Sequence, residues 1–159
     1  MMSKRTNRRK SQKISELNST EDSMQVLRTL VEFTSFNFKF FDSSQQAGQD
    51  FKDWSHKQLY ELFEKLKHFG EHSIKHLQLQ KHGKQHTLEV YGAFPAHSQF
   101  SLPAHVPDDV RWARFRLEGA NRLIGFVVDQ NKCAALGLCP NIFYVVFLDA
   151  HHRFYPTRT

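Results

Sequence analysis

Alternation of apolar and polar residues opens the readable part of the chain. Phe36, Phe38 and Phe40 alternate with Asn37 and Lys39 at the strand period of two, which predicts a half-buried strand. Upstream, Met24-Gln-Val-Leu-Arg-Thr-Leu-Val-Glu-Phe reads either as an extension of that strand or as a short helix capped from Asn18-Ser-Thr-Glu-Asp-Ser. From Phe51 the spacing changes. Trp54, Leu59, Leu62, Phe63, Leu66 and Phe69 follow at intervals of one to five, with Lys52, Lys57, Glu61, Glu64 and Lys65 between them, which predicts an amphipathic helix. Gly70 punctuates it, and Ile74, Leu77 and Leu79 predict a second, shorter helix folding back as a hairpin. Residues 81–109 carry Gly83, Gly92, Pro95, Pro103 and Pro107 around one β-like run, Thr87–Tyr91, and read as a loop-rich insertion.

Beyond the insertion the alternation sharpens. In the segment from Val110 to Leu117, Trp112, Arg114 and Arg116 fall on one face and Ala113, Phe115 and Leu117 on the other. Glu118-Gly-Ala-Asn makes a turn, and Arg122-Leu-Ile-Gly-Phe-Val-Val is the returning strand of a hairpin. Ile142–Leu148 is apolar on both faces, as a central strand would be. The order strand, two helices, three strands predicts an α+β fold, a helical hairpin packed on one face of a mainly antiparallel sheet (β-α-α-β-β-β).

Composition supports one packed core. Of 159 residues, 40% are hydrophobic and 15 are Phe, so a wholly disordered chain is excluded. No apolar run approaches a bilayer span, and the basic N-terminus leads into Ser, Asn, Gln and Glu rather than an apolar signal core; a cytoplasmic protein with no membrane contact is the expectation. The net charge is +6, but residues 1–24 hold six cations against three anions, so half of it sits in the tail. That tail, residues 1–30, reads as disordered, and residues 31–159 as one domain.

Candidate chemistry gathers on the last strands. The hairpin brings Arg114, Arg116 and Arg122 near one another, while His151, His152, Arg153 and Tyr155 stand where the final strand ends. Such a set can cut RNA without a metal. Attack of a ribose 2′-hydroxyl on the adjacent phosphate needs a base, cations for the phosphorane, and an acid for the departing 5′-oxygen. Histidine transfers protons near neutral pH, Arg forks onto phosphate, and Tyr stacks on a base or donates a proton. The alternative is a solvated outer face and a polar strand exit. His68, His72 and His76 at i, i+4, i+8 have a spacing that can serve a metal, but Gly70 interrupts them, so they read as exposed helix histidines; Cys133 and Cys139 lack zinc spacing. No metal and no cofactor is expected, and there is no dinucleotide fingerprint, phosphate-binding Gly-Lys loop or nucleophile elbow.

The succession Phe36-Asn-Phe-Lys-Phe-Phe-Asp, the helix with Trp54, Leu59, Leu62, Leu66 and Phe69, then Trp112-Ala-Arg-Phe-Arg-Leu-Glu-Gly, Arg122-Leu-Ile-Gly-Phe and Phe143-Tyr-Val-Val-Phe-Leu-Asp resembles the RelE/ParE toxin superfamily over about residues 33–156. The resemblance implies a toxin that cleaves mRNA, often on the ribosome, and is silenced by a cognate acidic antitoxin. It implies site slots at Arg116, with Arg114 as the alternative, then Arg122, then His151 or His152 with Arg153 and Tyr155. Arg122, His151, His152 and Tyr155 are thus the catalytic candidates, and Arg114, Arg116, Arg153 and Trp112 the RNA-binding ones. Strand lysines typical of some ribosome-dependent members are replaced here by Arg, a poor general base, so proton transfer falls to a histidine. The rival reading is a non-catalytic module of the same fold, either a ParE-like topoisomerase inhibitor or an RNA- or protein-binding domain.

Overall fold

A computed structural model of the protein describes residues 32–156, nearly all within the unit Phe33–Thr159. The tail at 1–30 and the ambiguous segment from Met24 lie outside the described residues, save its last two. The fold is α+β, with few helices and a mainly antiparallel mixed sheet. Its strands are β1 (Ser35–Asn37), β4 (Leu88–Gly92), β5 (Arg111–Arg116), β6 (Arg122–Val127) and β7 (Ile142–Asp149), in the order β1-β7-β6-β5-β4. Only β1 runs parallel to its neighbour, β7. No helix among the described residues is long and apolar enough to cross a membrane.

The opening strand is shorter than its alternation predicts. The Asn37 side chain accepts the Lys39 amide at 2.9 Å and Phe41 N–H bonds back to Phe38, so the chain turns after Asn37. The three alternating phenylalanines therefore part company: Phe36 packs beneath the helices, Phe40 enters the opposite core, and Phe38 is 41% exposed.

The helical hairpin follows. Asp50 caps a single 3₁₀ turn, Phe51–Asp53, and Ser55 with Gln58 forms a reciprocal capping box that starts α1 (His56–Gly70). Ser73 caps α2 (Ile74–Leu79). Leu62, Phe69, Ile74 and Leu77 from these helices pack with Leu88, Ala113, Phe115, Leu123, Val145 and Leu148 of the sheet. Each fully buried Leu or Phe contributes roughly 1.5–3 kcal/mol.

Residues 81–109 are more ordered than a loop-rich insertion. A two-rung ribbon, β2 (Lys81–His82) with β3 (Gln85–His86), turns at Gly83, and β4 then joins the sheet edge beside β5. Residues 93–110 have no regular structure, yet Phe94, Phe100, Val106 and Val110 fold over the sheet face opposite the helices. There they form a second, aromatic core with Trp112, Phe126, Phe147 and Phe154. The ring centroids of Phe100 and Phe147 are 4.4 Å apart, and those of Trp112 and Phe154 5.7 Å apart. Between β6 and β7 the register shifts by one residue, which turns both Val146 and Phe147 toward this core. Gly125 stands at the shift, where a Cβ would overlap the carbonyl oxygen of Tyr144. After β6 comes a short helix, α3 (Cys133–Leu136), which Gly137 ends in the left-handed region.

Candidate functional site

On the sheet face away from the helices, the aromatic core covers one end only. Side chains at the other end are charged, because β4, β5 and β6 each place a polar residue on that face at neighbouring rungs. Glu89 pairs with Arg114 across β4 and β5, and Arg116 pairs with Arg122, which in turn pairs with Asp149.

Arg114 lies at the centre. Its Nε and one terminal nitrogen donate to a single oxygen of Glu89, Oε2, at 2.9 and 2.7 Å. The Tyr91 hydroxyl donates to the same oxygen at 2.8 Å, while Oε1 makes no hydrogen bond among the described residues. Burial would raise the Glu89 pKa, but the Tyr91 hydrogen bond and the Arg114 charge outweigh it, so the carboxyl titrates below its ordinary range. Burial and the Glu89 charge, against the pull of Arg114, push the Tyr91 hydroxyl well up. Tyr91 and Tyr155 stack face to face at 4.7 Å with an interplanar angle of 1°, and the Arg114 guanidinium lies 5.5 and 5.9 Å from the two rings. Tyr155 is 44% exposed, so its ring is open to a ligand.

On its other side Arg114 approaches Nε2 of His152 at 3.2 Å. A guanidinium has only donors, so Nε2 accepts and the ring proton resides on Nδ1. Burial, Arg114 and Arg122 all hold the His152 pKa below the usual imidazole range, in keeping with that neutral form. Asp149 sets the turn that carries this histidine. Wholly buried, it accepts the His151 amide at 3.0 Å on one oxygen and the Phe154 amide at 2.8 Å on the other. Between them His152 takes φ +59°, a left-handed conformation.

Arg122 is 4% exposed, a buried residue rather than an open strand-end cation. One terminal nitrogen donates to the carbonyls of Gly119 and Asn121 at 2.8 and 2.7 Å, while its Nε is buried and finds no hydrogen-bond partner among the described residues. Burial, Arg116 and Arg114 bring its pKa down to about 10. Arg116 is half-buried and borders a cleft of about 630 Å3 that Thr87, Gly119, His68 and His82 also line. A second hollow, of about 390 Å3, opens along β4 beside Glu89 and Tyr91.

Of the residues singled out from sequence, Arg114, Arg116, Arg122, His152 and Tyr155 come together. Three do not join them. Trp112 is 3% exposed inside the aromatic core and presents no ring to RNA, because the insertion and Phe154 cover its end of the strand. His151 is exposed, and only its backbone amide engages the site, through Asp149. Arg153 contributes its carbonyl, which accepts the Gln99 amide. Glu89, Tyr91 and Asp149 are the functional candidates missing from the sequence set. The alternation of Leu88 and Val90 with Glu89 and Tyr91 was the available signal, but nothing local tells that this run pairs with β5. No protein-family model, curated protein or solved structure matches the chain.

Proposed function

We propose that the protein is an endoribonuclease that cleaves mRNA by 2′-hydroxyl attack, as expected of a RelE-like toxin, using the charged end of the sheet as its active site. The observation that carries this reading is the Glu89–Arg114–His152 array, in which a fixed cation stands between an ionised carboxylate and a neutral imidazole. A scissile phosphate on Arg114 would lie between a proton acceptor and a proton donor, the arrangement that in-line transfer needs. Glu89, through its free Oε1, takes the 2′-hydroxyl proton. The 2′-oxygen bonds to phosphorus as the bond to the 5′-oxygen breaks, giving a 2′,3′-cyclic phosphate and a 5′-hydroxyl. Arg114 and Arg116 stabilise the phosphorane, and the buried Arg122 charge adds its field from beneath. Burial, then Arg114 and Arg122, lower the proton affinity of His152; a bound phosphate opposes the two arginine charges, so the imidazole takes up a proton from solvent on substrate binding and delivers it to the leaving oxygen. Tyr155 offers its open face to a base.

The resemblance to RelE/ParE toxins lends this reading support, and a cationic, incompletely neutralised site suits silencing by an acidic antitoxin. The test is inducible expression in a bacterial host, with growth followed and mRNA 5′ ends mapped by primer extension. Growth arrest with new cleavage ends, both lost in Glu89→Gln, is the expected result. Arrest with intact mRNA would move the reading to a ParE-like topoisomerase inhibitor. Normal growth with soluble, folded protein would leave a non-catalytic binding module.

A further inference from the structure

The junction of the two helices carries chemistry that the RNA-cleaving reading does not use. Gly70 ends the first helix as the sequence suggests, yet the three spaced histidines still meet at the junction. It is the last residue of α1, and Glu71 continues in helical conformation before Ser73 restarts the chain. The His68 and His72 rings lie 5.1 Å apart, and the His72 and His76 rings stack at 4.4 Å with an interplanar angle of 16°. Glu71 closes the group, its Oε2 standing 3.9 Å from Nδ1 of His68.

We propose that His68, Glu71 and His72 form a binding site for a divalent transition metal of the zinc class, with His76 as a positioning residue. One ligand atom from each of the three lies within 4.8 Å of the others. A tetrahedral zinc with bonds near 2.0–2.1 Å needs ligand atoms about 3.4 Å apart, which is a torsional adjustment of side chains open to solvent. The backbone needs no adjustment. Thr34 N–H bonds to the His72 carbonyl at 2.8 Å, Glu71 N–H to His68 and His72 N–H to Phe69 at 3.2 Å each, and buried Phe69 and Ile74 anchor the junction on either side. The ligands thus project from a fixed frame, which limits the ordering cost of metal binding. Two imidazoles and one carboxylate are the donor set of a borderline cation, and leave a fourth position for water. The His76 ring, stacked on His72, holds that imidazole toward the site. Bound metal would tie the last turn of α1 to the junction residues Glu71 and His72.

Full-length protein stripped with a chelator and titrated with Zn2+ in a calorimeter should bind one equivalent, with a matching rise in its thermal midpoint. Affinity should fall at least tenfold in His68→Ala and in His72→Gln, and by less in His76→Ala, while His56→Ala at the far end of α1 binds as the parent does. The ligand side chains are exposed or half-buried, and circular dichroism checks that each variant folds. Co2+ in place of Zn2+ should give visible absorption bands that His68→Ala and His72→Gln both lose. Absence of binding at tenfold excess of Zn2+ over protein, or an affinity unchanged in both histidine variants, would overturn the proposal. None of these readouts depends on RNA cleavage, so the two readings fail separately.

Discussion

The two ends of one sheet face make different use of the same strands. At one end β5, β6 and β7 contribute Trp112, Phe126 and Phe147, covered by residues 93–110 and Phe154. Two residues further along β5, and four back along β6, the same face carries Arg114 and Arg122. The apolar end satisfies itself by packing. The charged end cannot: among the described residues Arg122 keeps a buried, unpaired Nε and a pKa lowered to about 10, and His152 is held neutral. Lying beside a water-excluding core gives the charged end a low dielectric, which strengthens its fields and makes its unpaired donors costly. A bound anion would relieve both costs, so the first end supplies stability and the second a reason to bind.

Removing a ring from the apolar end should have the largest effect. Phe147 is wholly buried and meets Phe100, Trp112 and Phe154, so Phe147→Ala should lower the unfolding free energy by about 3–5 kcal/mol in urea titrations. The remaining folded protein should still cleave RNA. A loss nearer 1 kcal/mol would mean that the aromatic end is loosely packed and does not carry the fold.

Arg122→Gln should do the reverse. Cleavage should fall by about 100-fold or more for loss of a preorganised cation, while stability changes by about 1 kcal/mol or less. Two bonds to turn carbonyls are lost, but so are a buried charge and its repulsion from Arg116 and Arg114. Collapse of the fold with this variant would assign Arg122 to architecture instead of chemistry.

Asp149 joins the two ends, since one carboxylate oxygen holds the turn at His151 and the other holds the Phe154 amide. Asp149→Asn keeps the shape but turns an amide group toward one of those N–H donors. Stability should fall by about 1–3 kcal/mol, and cleavage by about tenfold as His152 loses its placement. Loss of only one property would show that the turn serves only one end.

These ends differ also in how far they can be read from the sequence. Helix α1 and strands β5, β6 and β7 were legible because their patterns are local: the Leu62 and Phe69 stripe faces one core, Ala113 and Phe115 alternate with Arg114 and Arg116, and Ile142–Leu148 is apolar on both faces. Arg114, Arg116, Arg122, His152 and Tyr155 were legible as neighbours because a hairpin and a strand exit bring them together. Trp112 was misplaced because alternation assigns a face but not its cover. That cover comes from residues 93–110, whose Phe94, Phe100 and Val106 are too sparse to show a period. Glu89 and Tyr91 escaped for the same kind of reason, since the partner that gives them meaning, Arg114, lies 25 residues from Glu89. Phe38 and Phe40 were assigned to one strand face because period counting does not see the Asn37 side chain turning the backbone.

The smallest effect tests whether Arg114 holds His152 neutral. Burial, then Arg114 and Arg122, place the folded-state pKa of His152 below its unfolded value, which is about 6.5. Above the unfolded value the ring is neutral in both states and contributes no pH dependence. As pH falls through it, the unfolded chain takes up a proton first, so stability drops until the folded pKa is reached. His152→Asn removes this titration, and Asn tolerates the left-handed φ of +59°. The stability advantage of the parent protein over the variant, from denaturant titrations at pH 7.5 and 5.5, should therefore shrink on acidification. Inorganic phosphate bound at the site would oppose the Arg114 and Arg122 charges and return proton affinity to His152, so adding it should weaken the dependence. An advantage that is constant or grows toward acid would show that burial, Arg114 and Arg122 do not lower the proton affinity of His152, and that the imidazole needs no bound phosphate to carry the proton it donates.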